Sequence, residues 1–161
     1  MSITRPLGLG VFLVALAAGP LAAGCASMVA PAAYAQTPQV AQQQNIVVHL
    51  GSFTNDLHSA FMAFSLATNL QKHGASVTVF LDREGVRLAD VRERGDLTWG
   101  DSGGTSAAMA EFVQAGGKVV VCPHCASLAG MEAANIRPGA RLATHEEVAT
   151  IFLSANKVID F

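Results

Sequence analysis

The first 55 of the 161 residues hold no Asp or Glu and a single base, Arg5, whereas all 12 acids lie between Asp56 and Asp160. That imbalance separates a leader from a body that carries the charge. No run of Lys or Arg occurs, so the basic footprint that nucleic acid demands is missing, and nucleic acid is set aside as a partner. Cysteine is scarce: Cys25, Cys122 and Cys125 are too few for a small fold stapled by disulfides. The turn that starts at Gly51 lacks G-x-G-x-x-G spacing, and no acid is placed to complete a dinucleotide fingerprint. A nicotinamide or flavin dehydrogenase is therefore rejected, and no cofactor is expected. Gly100-Asp101-Ser102-Gly103-Gly104 looks like the nucleophile segment of trypsin-like proteases, but the chain is too short for a double β-barrel and alternates helices with strands.

Within the leader, Arg5 precedes an apolar run over residues 7–18 that Gly19-Pro20 breaks, the pattern of a secretory signal. Ala33-Tyr34-Ala35 before Gln36 fits a peptidase site, so residues 1–35 are read as a signal peptide. Leu21-Ala22-Ala23-Gly24-Cys25 is a competing exit, a lipobox in which Cys25 is lipidated, although Ala22 stands where a larger aliphatic residue is usual. An uncleaved anchor fits least, because a span needs roughly 20 uninterrupted apolar residues. The expected location is periplasmic or secreted, with a membrane-anchored lipoprotein as the alternative and membrane contact only through a lipidated Cys25. The chain beyond residue 35 has nine bases against 12 acids and the size of one domain.

Residues 36–45 are polar and Gln-rich and read as a linker, leaving 46–161 as the domain. Ile46-Val47-Val48-His49-Leu50 is the signature of a buried strand. Asn55 or Asp56 caps a helix whose apolar positions run to His73-Gly74, and Val77-Thr78-Val79-Phe80-Leu81 comes next as a second strand. About 25 residues separate the two strands, enough for a parallel crossover and too many for a hairpin. Residues 82–104 form the longest irregular stretch, with a short helical turn over 85–89, and loops of that length are usually functional, mobile or packed between subunits. A helix over 105–114 leads to a third strand at 118–121. Residues 127–135 are expected to be helical, 137–139 a turn and 141–143 a short strand. Thr144 with Glu147 forms a capping box for a last helix, and a strand closes the chain at 157–161. This alternation predicts a three-layer α/β domain, a mostly parallel sheet of about five strands with helices on both faces.

The Gly51-Ser52-Phe53-Thr54-Asn55-Asp56 loop, the Gly85-Val86-Arg87-Leu88-Ala89 segment, the strand-end Cys122, the Arg137-Pro138-Gly139 turn and the closing Val158-Ile159-Asp160-Phe161 together resemble the DsrE/DsrF-like family, over 46–161. The resemblance implies a homo-oligomer, trimer or hexamer, and in several members a cysteine that carries sulfur as a persulfide in a relay. Cys122 is the matching position. Relay members of the family are cytoplasmic whereas this chain carries an export leader, many members lack the cysteine, and Cys125 is no part of the family's general pattern.

Parallel sheets gather reactive groups beyond the carboxyl ends of their strands, which is where the third strand delivers Cys122-Pro123-His124-Cys125. Pro123 suits the first turn of a helix, whose amides would stabilise a Cys122 thiolate, and His124 would add to that. Cys125, three positions on, is then the resolving thiol. The site residues are therefore Cys122, Cys125 and His124. The expected activity is binding or relay of sulfane sulfur, with a sulfur donor or a thiol protein as partner and catalysis itself uncertain. A periplasmic thiol-disulfide oxidoreductase is the alternative, since the same tetrapeptide occurs in the thioredoxin fold, although here it comes after the third strand rather than an early one. A structural Cys122–Cys125 pair in a non-catalytic binding module is another. A metal site lacks half of its ligands, unless His49 or a second subunit completes a copper or zinc centre. His58 and His73 read as solvated or capping residues, and His145 as part of the first turn of the last helix.

Overall fold

The computed structural model describes residues 43–161. Residues 1–35, with the signal peptide, the alternative lipobox at Cys25 and most of the linker, lie outside the described residues. Five strands form one sheet, β1 (Asn45–Leu50), β2 (Ser76–Leu81), β3 (Lys118–Val121), β4 (Ala140–Leu142) and β5 (Lys157–Asp160), in the order β4-β3-β2-β1-β5. Every neighbouring pair is parallel, as the crossover lengths require. Four helices connect the strands: α1 (Leu57–Lys72), α2 (Thr105–Gln114), α3 (Pro123–Leu128) and α4 (His145–Leu153).

Strand β1 lies between β2 and β5, and Ile46, Val47, Val48 and Leu50 are all buried, which is why its sequence is a continuous apolar run instead of an alternating one. Successive side chains still point to opposite faces. Val48, Leu50, Val79, Leu81, Val119 and Val121 belong to the larger cluster, with Phe64 of α1 and Met109 and Phe112 of α2. Val47, Phe80 and Val120 face the other way, towards Val148, Ile151 and Phe152 of α4. Helices therefore cover both faces, three elements against one.

The helix boundaries obey local chemistry. Asp56 accepts from the Ser59 amide at 3.0 Å to start α1, Asn55 instead accepts from the Phe53 amide at 2.9 Å, and Gly74 leaves the helix with φ +90°. Thr144 and Glu147 exchange side-chain to backbone bonds of 3.1 and 2.8 Å, completing the expected box. One expectation fails. Residues 127–135 are not one helix: α3 starts at Pro123, ends at Leu128, and Gly130 turns the chain at φ +62°. A separate 3₁₀ turn, Ala133–Asn135, comes next under its own Glu132 cap, because proline favours the first helical position and a left-handed glycine ends a helix.

The stretch after β2 opens with a 3₁₀ segment, Arg83–Ala89, whose Gly85 lies against the end of β1: a Cβ there would sit 2.2 Å from the Leu50 carbonyl oxygen. The irregular remainder is laced down by Arg137, which donates to the carbonyls of Leu88, Asp90 and Glu93 at 3.2, 2.7 and 3.0 Å. Trp99 near the loop tip stacks on His58 of α1 with ring centres 4.0 Å apart, so His58 is a packing partner and not merely solvated. Among the described residues no helix is long and apolar enough to cross a membrane.

Candidate functional site

Four neighbouring strands end side by side, and each contributes polar chemistry at or just beyond its last residue. Across the sheet from β3 to β5 these groups are Cys122, Asp82, His49 and Asp160. Their parity is shared: Cys122 follows Val120 by two, Asp82 follows Phe80 by two, His49 follows Val47 by two, and Asp160 is the register partner of His49. His49, which packs on Phe152, its register partner Asp160 and the bonded Asp82 therefore lie on the α4 side of the sheet, whereas Cys122 packs against both clusters.

Cys122 is the N-cap residue of α3, extended at φ −61° and ψ 121°, with Pro123 in the first turn. Its amide is bound to the Leu81 carbonyl at 2.8 Å, so the start of the turn is fixed to β2. The side chain is half-buried and makes no capping bond to the helix amides, contrary to the expected cradle. Cys125 lies one helical turn on in the same helix. Both cysteines are free thiols. The Cys125 thiol is pushed up from its ordinary value, chiefly by burial, while the Arg83 backbone pulls the other way. Contact with Cys122 and the charge of Asp82 also raise it. His124, the third residue expected in the site, is exposed on the outside of α3.

The neighbours of the thiols were not legible as a site in the sequence. His49 Nε2 lies 2.9 Å from Asp82 Oδ1 and its Nδ1 lies 2.6 Å from Asp160 Oδ1. The ring is largely enclosed, edge-on to Phe152 and tilted on Phe80. Burial pulls the imidazole down, but hydrogen bonds to Asp82 and Asp160 and the charges of both carboxylates outweigh it and hold the group above its ordinary value. Asp82 also accepts from Arg83 Nε at 3.2 Å, and the Arg83 guanidinium packs over Gly51, where a Cβ would overlap it. Only His49 had a sequence signal, its position beside a strand end. As for a metal, among the described residues no three His, Cys, Asp or Glu side chains gather as ion ligands.

A cleft of about 280 Å³ lies elsewhere, between α1 and α2, lined in part by Thr68, Asn69, Lys72 and Glu111. It contains no thiol. The cysteines and the histidine with its two carboxylates all lie at the strand ends, outside that cleft.

The DsrE/DsrF-like family model matches residues 44–161. The chain belongs to the DsrE/DsrF-like family. Its fold recurs in the ychN protein from E. coli, 23% identical with a TM-score of 0.63, the match covering 74% of this chain and 100% of that one. A protein of unknown function from Methanobacterium thermoautotrophicum is 14% identical with a TM-score of 0.58, over 74% of this chain and 100% of its own. A conserved protein of unknown function from Bacteroides thetaiotaomicron is 14% identical with a TM-score of 0.51, over 73% and 95%. At these identities the likeness is one of fold. No curated protein matches the chain. Family membership accounts for the parallel sheet and its layers of helices.

Proposed function

We propose that this DsrE/DsrF-like protein is exported and binds or relays sulfane sulfur through a persulfide on Cys122, with Cys125 as the resolving thiol. The reading is carried by the half-buried Cys122 thiol at the end of β3 with a second free thiol, Cys125, one helical turn on in α3. In the loading step the Cys122 thiolate attacks the terminal sulfur of a sulfane donor, the donor's sulfur–sulfur bond breaks, and the donor leaves as a thiolate. The acceptor's thiolate then takes that outer sulfur and Cys122 is returned as a thiolate. Where no acceptor arrives, Cys125 attacks the inner sulfur, hydrosulfide leaves, and a Cys122–Cys125 disulfide forms that an external dithiol must reduce. A thiol kept protonated until needed suits the resolving position, which matches the upward shift at Cys125.

The same pair of free thiols one helical turn apart favours a second reading, a thiol-disulfide oxidoreductase cycling between the dithiol and the disulfide. Export and self-assembly are part of the proposal. The leader supports the first, and the half-exposed Leu142 on β4 and Val158 on β5, the two outer strands, support the second.

Mass spectrometry after incubation with a sulfane donor tests the relay. The parent protein should gain one sulfur atom, Cys122→Ser should gain none, and Cys125→Ser should hold the persulfide longer. A parent protein that stays unloaded while glutathione in the same tube is loaded removes the relay and leaves the oxidoreductase, which a redox titration of the pair then reads. A purely structural pair is recognised by a large loss of thermal stability in Cys122→Ser with no measurable thiol exchange.

A further inference from the structure

Among the described residues the buried polar side chains are Thr68, Asp90 and Thr105. Asp90 is held by Arg92 at 2.6 Å, and Thr105 donates to the Gly95 carbonyl at 3.3 Å. Thr68, only 7% exposed, has no hydrogen-bond partner among the described residues. A helical threonine ordinarily turns its hydroxyl back onto its own helix, as Thr150 does in α4 by donating to the Glu146 carbonyl at 3.0 Å. The sealed orphan among the described residues is Ser106 Oγ, so the Thr68 hydroxyl is instead reached from the cleft of about 280 Å³ between α1 and α2 that its residue lines. Buried polar groups are almost always paired, and a hydroxyl held this deep without a protein partner is open to whatever occupies the cleft.

The rest of the cleft is graded from charged to apolar. On α1, Phe61, Ser65, Thr68 and Lys72 recur every three or four residues and share one face, and Ala107, Ala108 and Glu111 do so on α2. Lys72 Nζ meets Glu111 Oε1 across the cleft at 2.9 Å, and both side chains are exposed. The ammonium has three hydrogens and uses one here, while Glu111 Oε2 has no partner among the described residues. Each therefore keeps capacity for a ligand group of opposite charge. A lone anion there would face Glu111 and a lone cation would face Lys72, so the pair suits a molecule that carries both signs. We propose that the cleft binds a small α-amino acid with an apolar side chain. Its carboxylate accepts from Lys72 and from the Thr68 hydroxyl, its ammonium donates to Glu111, and its side chain lies along Phe61, Ala107 and Ala108. Four alternating charges then close a ring without opening the Lys72–Glu111 pair. Sites for drug-sized molecules run to about 300–1,000 Å³, so this cleft suits a smaller ligand. The thiol reading above does not enter, since no cysteine lines the cleft.

The experiment is a titration of the full chain with L-leucine, followed by amide NMR shifts, alongside isocaproate and isoamylamine, which share the carbon skeleton and each lack one of the two charges. Leucine should bind saturably and move amides of α1 and α2, and each single-charge probe should bind roughly tenfold more weakly or worse. Glu111→Gln should weaken leucine by about the same factor without weakening isocaproate, and Lys72→Gln should weaken leucine without weakening isoamylamine. Thr68→Val keeps the shape of the side chain and removes the hydroxyl, and should weaken leucine by about fivefold. The proposal is overturned if leucine does not saturate, if its shifts lie away from α1 and α2, if a single-charge probe binds as well as leucine, or if the variants bind leucine as the parent does. Should thermal melting show Thr68→Val to be unfolded, Lys72→Gln and Glu111→Gln, both at exposed positions, carry the test on the same outcomes.

Discussion

The two faces of the sheet are built to different depths. On one, the strands meet α1, α2 and α3 in a cluster that buries Phe53, Phe64, Leu88, Met109 and Phe112 completely or nearly so. On the other, Val47, Phe80, Val120 and Ala143 meet α4, a helix with no buried residue of its own. Burial is worth about 25 cal/mol per Å² of apolar surface, so the first face holds most of the folding free energy. His49 with its two carboxylates belongs to the second, Cys122 touches both, and Cys125 packs against the first. A thin layer leaves the ends of β1, β2, β3 and β5 close to solvent while the thick layer keeps their spacing fixed, so the strand-end groups are approachable on a rigid base.

Substitutions can break that comparison. The largest effect is expected from Phe112→Ala in α2, about 3–5 kcal/mol, since the ring is fully enclosed and packs edge-on to Phe64. Phe152→Ala in α4, only partly buried, should lose clearly less. Urea titrations of the two variants decide it, and equal losses would mean that the faces are energetically alike. Thr144→Ala, which removes the cap of α4, should lose about 1 kcal/mol in the same titration while leaving the α1–α2 side untouched.

The smallest effect is a drift with pH. Burial alone would lower the His49 pKa, but its two carboxylate partners raise it above the ordinary imidazole value of 6.5. A group whose folded pKa is raised stabilises the fold fully below its unfolded value, and that contribution is lost as pH climbs through the folded value. Stability should accordingly decline as pH rises above 6.5, and His49→Gln should flatten the decline. The exposure of Asp160 keeps the effect modest. Identical pH profiles for the two proteins would show that these ion pairs add nothing to folding.

Much of the fold was legible because its signals are local. Apolar β-branched runs mark the strands, Asp56 and Thr144 mark helix starts, and Gly74 and Gly116 mark helix ends. Cys122 was legible for the same reason, being a reactive residue directly after a strand. The helix over residues 127–135 was misplaced because its apolar spacing continues past Gly130, and only the backbone reveals that this glycine turns left-handed. Asp82 and Asp160 gave no signal as site residues. Each is an ordinary acid beside a strand end until β1 is inserted between β2 and β5, and the spatial order of strands is not written in any short window of sequence. The left-handed Arg83 is equally invisible, since nothing in its residue type favours that conformation.

Because residues 49, 82, 122 and 160 come from four separate strands, the environment of the two sulfurs exists only once the whole sheet has assembled. A four-residue motif cut out as a peptide would keep its cysteines and lose the His49 imidazole and both carboxylates together. Because burial is the chief cause that holds the Cys125 thiol above its ordinary value, loosening the packing around it would make the thiol more readily ionised, and alkylation would report that loss.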